Sequence, residues 1–280
     1  MATLGFLLQN ATEKLAAAGI ASARYEAREF LCAAYGTDWL HLQLALGEEA
    51  GYGLAVATFE LYIESRLDGR PMQYILGSTE FYGLTIKCDE RALIPRPETE
   101  FLADEAVKFG KALGKEKVRA LDLCTGTGCL ALALSDAGFC TAASDISERA
   151  LSLAKENADK LELAVNFFQG DLFSALPAGE KFDIIVTNPP YIPKSECQKL
   201  SPDVKDHEPI LALDGGESGL DLVSKILSEF KSYLLPGGIF LMEIGHDQGA
   251  FALENCPGAE ILKDLEGHDR IVKFISKEKA

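Results

Sequence analysis

Apolar residues recur at three- and four-residue spacing through the first part of the chain: Leu4, Leu7, Leu8, Ala11 and Leu15, then Ala27, Phe30, Leu31 and Ala34, then Phe59, Tyr62, Ile63 and Leu67. That period places them on one face of successive helices, and Gly69 with Pro71 closes the block. A helical domain is therefore expected over 1–75. The pattern then shortens to alternating runs, Thr79 to Tyr82 and Leu84 to Cys88 on either side of Gly83, which predicts a β-hairpin linker over 76–98. It leads into Ile94-Pro95-Arg96-Pro97-Glu98-Thr99-Glu100. Two prolines there disfavour helix, so the next helix, Phe101 to Leu113, is expected to start at Glu98 or Thr99.

A second domain is expected over 99–280, in which strand-like apolar runs alternate with helical stretches from 117 on. Val118 to Leu123 precedes a helix over Cys129 to Leu134, and Cys140 to Ser144 precedes one over Glu148 to Leu161. Ala164 to Phe168 and Phe182 to Val186 follow, then a helix over Leu220 to Leu234 and a strand over Ile239 to Ile244. Two edge strands, Ile261 to Leu265 and Arg270 to Ile275, are expected at the end. This alternation predicts βαβ units and a mainly parallel, doubly wound α/β sheet.

The chain's 280 residues carry 27 Lys and Arg against 43 Asp and Glu, a formal net charge of −16. A protein that binds nucleic acid by neutralising phosphates is basic in at least one region, whereas this one is acidic in both parts. Seven cysteines at irregular spacing do not form a disulfide framework and read as reduced thiols. No His and Cys cluster has the spacing of a metal site. The N-terminal segment lacks a basic region and its apolar run is broken at Gln9 and Asn10, so no signal peptide is expected. No apolar run approaches the roughly 18 residues of a membrane span. A cytoplasmic protein without a membrane partner is the expectation.

Candidate chemistry begins where the first strand of the sheet ends, at Asp122-Leu123-Cys124-Thr125-Gly126-Thr127-Gly128. Glycines in such a turn let the backbone approach a ligand, and the helix that follows offers unpaired N–H groups. Gly126, Gly128 and Ala131 fit G-x-G-x-x-A, and Asp145, 19 residues after Gly126, sits where an acid would hold ribose hydroxyls. A nicotinamide cofactor and S-adenosylmethionine fit this pattern equally, and a plain glycine turn with Asp145 as a helix cap also fits. Asp171 follows the third apolar run, so Asp122, Asp145 and Asp171 are placed to converge on one ligand if strand ends share a crevice. A turn role for Asp171 in Gly-Asp is as simple.

The fourth strand runs into Asn188-Pro189-Pro190-Tyr191. Two prolines hold the backbone in a fixed arc. The Asn188 side-chain oxygen and the Pro189 carbonyl can then both accept from one planar NH2 group, and Tyr191 can stack on it. An amide or aromatic amine nitrogen is a poor nucleophile because its lone pair is delocalised. Two fixed acceptors orient it and stabilise the positive charge that develops during attack. In-line transfer of an activated methyl needs no metal and no general base. A proline turn capped by Asn188 is the purely structural alternative.

Asn188 to Tyr191 resembles the N-P-P-Y motif of methyltransferases that act on planar NH2 groups, and Asp122 to Gly128 resembles their cofactor motif. With Arg70 to Gly77, Phe81-Tyr82-Gly83-Leu84, Ile94 to Glu100, Asp145-Ile146-Ser147, Gly170 to Phe173, Glu208-Pro209 with Ala212-Leu213, and Glu243-Ile244-Gly245, the chain is similar to the PrmC/HemK family nearly throughout. These are protein-(glutamine-N5) methyltransferases of peptide chain release factors. The resemblance implies a class I S-adenosylmethionine-dependent methyltransferase fold, Rossmann-like with a mainly parallel seven-stranded sheet, and an N-terminal helical domain that helps to grip a class 1 release factor. It implies S-adenosyl-L-methionine as cofactor and the glutamine of the release factor's Gly-Gly-Gln loop as substrate. By position, Cys124, Thr125, Gly126, Thr127 and Gly128 would line the cofactor, with Asn188 beside it. Asp145 would bind its ribose, and Asp171 and Leu172 would flank its adenine. Asn188, Pro189, Pro190 and Tyr191 would hold the glutamine amide. Arg96 and Glu100 would lie near the active site, or form a solvated salt bridge. The family usually has glycine where this chain has Cys124.

Adenine also presents a planar NH2, so a DNA adenine-N6 methyltransferase is the alternative; base flipping and a phosphate backbone call for a basic face, and the charge of −16 argues against it. A nicotinamide oxidoreductase would leave Asn188 to Tyr191 unused, and a binding module would need neither motif.

Overall fold

A computed structural model of the chain describes residues 2–277. Positions 1 and 278–280, at the outer limits of the two expected domains, lie outside the described residues. The chain forms two compact units: one runs through Gly77 and takes in Pro202–His207, and the other comprises Ser78–Ser201 and the chain from Glu208 onward.

The first unit is helical, with helices Leu4–Ala17, Ala23–Tyr35, Trp39–Leu44, Leu54–Leu67 and Met72–Leu76. The apolar stripes meet in one core, where Leu15, Ala27, Phe30 and Leu31 are fully buried beside Leu8, Phe59 and Ile63. Thr3 caps the first helix by accepting from Phe6 N at 3.2 Å. A nearly buried ion pair, Arg66 Nε to Glu26 Oε2 at 2.6 Å, ties the second helix to the fourth.

The second unit opens with the hairpin strands β1 (Ser78–Phe81) and β2 (Leu84–Lys87). Its two-residue turn, Tyr82 and Gly83 at φ 49° and 79°, has the left-handed pair that matches strand twist. Seven further strands form one sheet: β3 (Arg119–Leu123), β4 (Cys140–Asp145), β5 (Val165–Gln169), β6 (Phe182–Thr187), β7 (Leu234–Glu243), β8 (Glu260–Lys263) and β9 (Asp269–Ile275). Their order is β5-β4-β3-β6-β7-β9-β8, parallel from β5 to β7, with β9 antiparallel to both neighbours. Every residue of β6 is buried, as a strand covered on both faces requires. Ile184 and Val186 face a cluster built on helices Pro97–Ala112 and Cys129–Asp136; Ile185 faces the opposite cluster, with Val223, Ile226, Phe230 and Ala252.

Several element boundaries differ from expectation. The helix expected to start at Glu98 or Thr99 begins at Pro97, because proline's missing N–H costs nothing in the first helical turn. The helix expected to reach Leu234 stops at Glu229 and is followed by a short 3-10 turn, and Leu234 already belongs to β7. Phe182 N donates to Tyr233 O there, and pairing jumps from Phe182 with Leu234 to Ile184 with Ile239, so Pro236 and Gly237 bulge out of the ladder. Of the two strands expected at the edge, β8 alone lies there, since β9 inserts between it and β7.

Candidate active site

The order of connection reverses between the parallel neighbours β3 and β6, so the segments leaving their carboxyl ends run to opposite sides and leave a crevice. Its wall is made by Cys124, Thr125, Gly126 and Thr127 after β3, Asp145 at the end of β4, Asp171 and Leu172 after β5, and Asn188 and Pro190 after β6. Arg96 and Thr99 join from the segment that leads into helix Pro97–Ala112. Residues from four strand ends, distant in the chain, thus meet around one cavity. Gly128, Pro189 and Tyr191 are not among the lining residues but adjoin them in the chain.

The glycine turn is held from two sides. Asp145 Oδ2 accepts from Gly126 N and Oδ1 accepts from Ser147 N, each at 2.9 Å, leaving each oxygen a further lone pair. Burial pushes the Asp145 carboxyl above its ordinary range, against these backbone hydrogen bonds. Asp122 does not reach the crevice, so the expected convergence of three acids reduces to Asp145 and Asp171. Asp122 is fully buried, and its Oδ2 accepts from Thr125 Oγ1 at 2.5 Å and Ala131 N at 3.1 Å, bracing the turn against its helix. Burial pushes its carboxyl up to about 7. Gly128 starts that helix at φ 85°, where a Cβ would lie 3.1 Å from Ala154 Cβ. Cys124 adopts φ 57° with a side chain, a left-handed conformation that favours glycine. Burial raises its thiol pKa, with the nearby Asp145 and Asp122 carboxyls adding to the shift. Asp171 Oδ2 accepts from Lys225 Nζ at 2.5 Å and is half-exposed.

The proline motif is anchored by residues that the sequence reading had not placed at the site. Asn188 Nδ2 donates to Thr99 Oγ1 at 3.1 Å, and Thr99 Oγ1 donates to Glu243 Oε2 at 2.7 Å. Tyr191 OH donates to Glu243 Oε1 at 3.2 Å, and the Tyr191 ring packs on the core. Burial raises the Glu243 pKa, opposed by the hydrogen bonds from Thr99 and Tyr191. Gln248 Nε2 donates to the carbonyls of Tyr191 (2.9 Å) and Gly219 (3.1 Å) while its Oε1 accepts from Gly245 N (3.0 Å). Asn157, fully buried, ties Lys87 N and O to the Thr127 carbonyl and so joins the hairpin to the glycine turn. Arg96 Nη2 donates to Glu208 Oε1 at 2.5 Å; the Glu208 side chain is 1% exposed, so this pair is not solvated at its acid. Glu100 turns away and accepts from Tyr82 N at 3.0 Å, holding the hairpin turn. Thr99 and Glu243 lie within motifs that carry the family resemblance, but nothing in the sequence pattern ties them to Asn188, and Gln248 lies outside every motif.

A family model described as the PrmC N-terminal domain matches residues 7–77, and one described as the methyltransferase small domain matches 104–201. The release factor glutamine methyltransferase of Thermodesulfovibrio yellowstonii is 38% identical over 265 residues, spanning 91% of this chain and 93% of its own length. The chain belongs to the release factor glutamine methyltransferase family. A second member of the family, from Koribacter versatilis, is 37% identical over 283 residues, 96% of this chain and 97% of its own. Among solved structures, the T. thermophilus 16S rRNA N2 G1207 methyltransferase in complex with AdoMet and guanosine is similar with a TM-score of 0.54, at 19% identity over 71% of this chain and 50% of that one. At that identity the likeness is one of fold, and the sheet order and crevice of this family member are those of a class I methyltransferase. No helix among the described residues is long and apolar enough to cross a membrane.

Proposed function

We propose that this chain transfers a methyl group from S-adenosyl-L-methionine to the side-chain amide nitrogen (N5) of the glutamine in the Gly-Gly-Gln loop of a class 1 peptide chain release factor. The observation that carries this reading is Asn188: it lies on the crevice wall with its NH2 engaged by Thr99, which leaves Oδ1, on the other side of the planar amide, to accept from a substrate NH2. Full-length similarity to release factor glutamine methyltransferases supports glutamine as the bearer of that group.

The crevice suits the cofactor. Each Asp145 oxygen keeps a lone pair for a ribose hydroxyl, and Ser144 Oγ, buried on the same wall, has no hydrogen-bond partner. Leu172 offers an apolar face to the adenine and Asp171 an acceptor for its amino group. Cys124, Thr125, Gly126, Thr127 and Gly128 form the turn that lets the backbone close on the ligand. When bound, S-adenosyl-L-methionine supplies the activated methyl of its sulfonium.

The chain's own part is orientation and charge stabilisation. Asn188 Oδ1 and the Pro189 carbonyl accept the two N–H groups of the glutamine amide, aim its lone pair and stabilise the positive charge that builds on nitrogen. Pro190 keeps the arc rigid, and Tyr191 anchors its far end through Glu243. The helical domain, with Leu40, Leu44, Tyr52 and Leu54 largely exposed, supplies apolar surface for a protein partner. Neither nucleic acid nor membrane has a part in this reading. Asn188→Ala tests it: with labelled cofactor and purified release factor, transfer should fall by about 100-fold or more while cofactor affinity is retained. Near-normal transfer by the variant would sink the amide-clamp account.

A further inference from the structure

The proton directions around Asn188 are set by a carboxylate that does not itself line the crevice but bonds Thr99, which does. Glu243, the last residue of β7, is 2% exposed. Its Oε2 takes the Thr99 hydroxyl proton and its Oε1 the Tyr191 hydroxyl proton. A hydroxyl has one proton to give, so Thr99 has only lone pairs left for its other neighbour. Asn188 must therefore meet Thr99 with its NH2 and not with its oxygen, which is the arrangement found at 3.1 Å.

We propose that Glu243, acting through Thr99, fixes which way the Asn188 amide faces, so that an acceptor and not a donor meets the substrate nitrogen. The proposal rests on the glutamine reading above. With the amide turned over, Asn188 would present its NH2 to the substrate's NH2, setting donor against donor and repelling the positive charge that develops there. The two orientations have nearly the same shape, so packing alone does not choose between them. The choice comes from the chain of donors that ends on the buried carboxylate. Thr99 and Glu243 are thus positioning residues for a group that touches the substrate. Gln248 fixes the backbone of the same motif through the Tyr191 carbonyl, and its three hydrogen bonds leave the amide direction at Asn188 to the Thr99 branch.

Thr99→Val removes the hydroxyl at nearly constant shape, and Thr99→Ser keeps it. For transfer to release factor, Thr99→Val should lower kcat by about 10- to 100-fold, with KM for the release factor within about threefold and cofactor affinity as in the wild type. Thr99→Ser should restore kcat to within about threefold of wild type by the same reasoning. Combining Thr99→Val with Glu243→Gln should be no worse than the poorer single variant, because both act through Asn188. The proposal is overturned if Thr99→Val keeps near-normal kcat, if Val and Ser are equally impaired, if cofactor affinity falls in parallel with kcat, or if the two losses multiply. A wild-type enzyme that puts no methyl on the release factor's glutamine overturns the functional reading itself, a result visible before any variant is made.

Discussion

Asp145 Oδ2 accepts the backbone N–H of Gly126 at 2.9 Å, so the acid at the end of β4 holds the glycine turn at the end of β3. One carboxylate both shapes the cofactor turn and, in the proposed mechanism, receives the ribose. Asp145→Ala removes both roles. Hydrogen bonds to a charged group contribute about 1.5–3 kcal/mol, so calorimetric titration should show cofactor binding weakened by about 10-fold or more. A dissociation constant within about twofold of wild type would contradict this role for Asp145.

Cys124 holds a side chain at φ 57°, a conformation that costs an ordinary residue about 1–2 kcal/mol. Cys124→Gly and Cys124→Ala both delete the thiol but differ in that strain. In urea unfolding the glycine variant should be the more stable of the two by about 1 kcal/mol. An alanine variant equal to or more stable than glycine would show that the turn is not strained there.

The buried Asp122 makes stability depend on pH. Its carboxyl is pushed from an ordinary value of 3.8 up to about 7, chiefly by burial. Between these values the native chain keeps a proton that the unfolded chain releases. The unfolded state then binds fewer protons, so this group's contribution to stability is fully present below about pH 4 and is lost as pH rises towards about 7. Asp122→Asn keeps an oxygen for Thr125 and Ala131 without the titration. Its stability relative to wild type should rise between pH 4 and 7, measured by denaturant unfolding across that range. A difference that stays constant or falls would remove Asp122 as a source of pH dependence.

Gly219 lies against the proline motif. A Cβ there would sit 2.4 Å from the Tyr191 carbonyl oxygen, and its φ of 74° disfavours any side chain. Gly219→Ala should cost about 2 kcal/mol or more of stability. It should also lower methyl transfer beyond the loss of folded protein, since the backbone it displaces carries Asn188 and Pro189. Wild-type turnover per folded molecule would show that this packing does not position the motif.

Contiguous features of the site were legible in the sequence. The apolar run of β6 predicted a covered parallel strand, and its carboxyl end placed Asn188 where the crevice opens. The glycine turn and Asp145 likewise fell where βα connections deliver them. Features that depend on pairing across the sheet were not legible. Thr99 lies 89 residues before Asn188 and Gln248 lies 57 after Tyr191, and only the strand order brings them together. The start of β7 was missed, with a helix expected to Leu234 and a strand only from Ile239, because Pro236 and Gly237 bulge out of a ladder that continues on both sides. Asp122 was misplaced for a related reason: sequence put it near the crevice, but alternation along β3 turned its side chain to the helix that the turn begins.

The most direct test of the central claim is mass spectrometry of release factor incubated with the purified protein and S-adenosyl-L-methionine, with fragmentation that locates the modified atom. One methyl group on the side-chain amide of the Gly-Gly-Gln glutamine is the predicted result. An unmodified glutamine, with methyl groups found instead on adenine in added DNA, would contradict it.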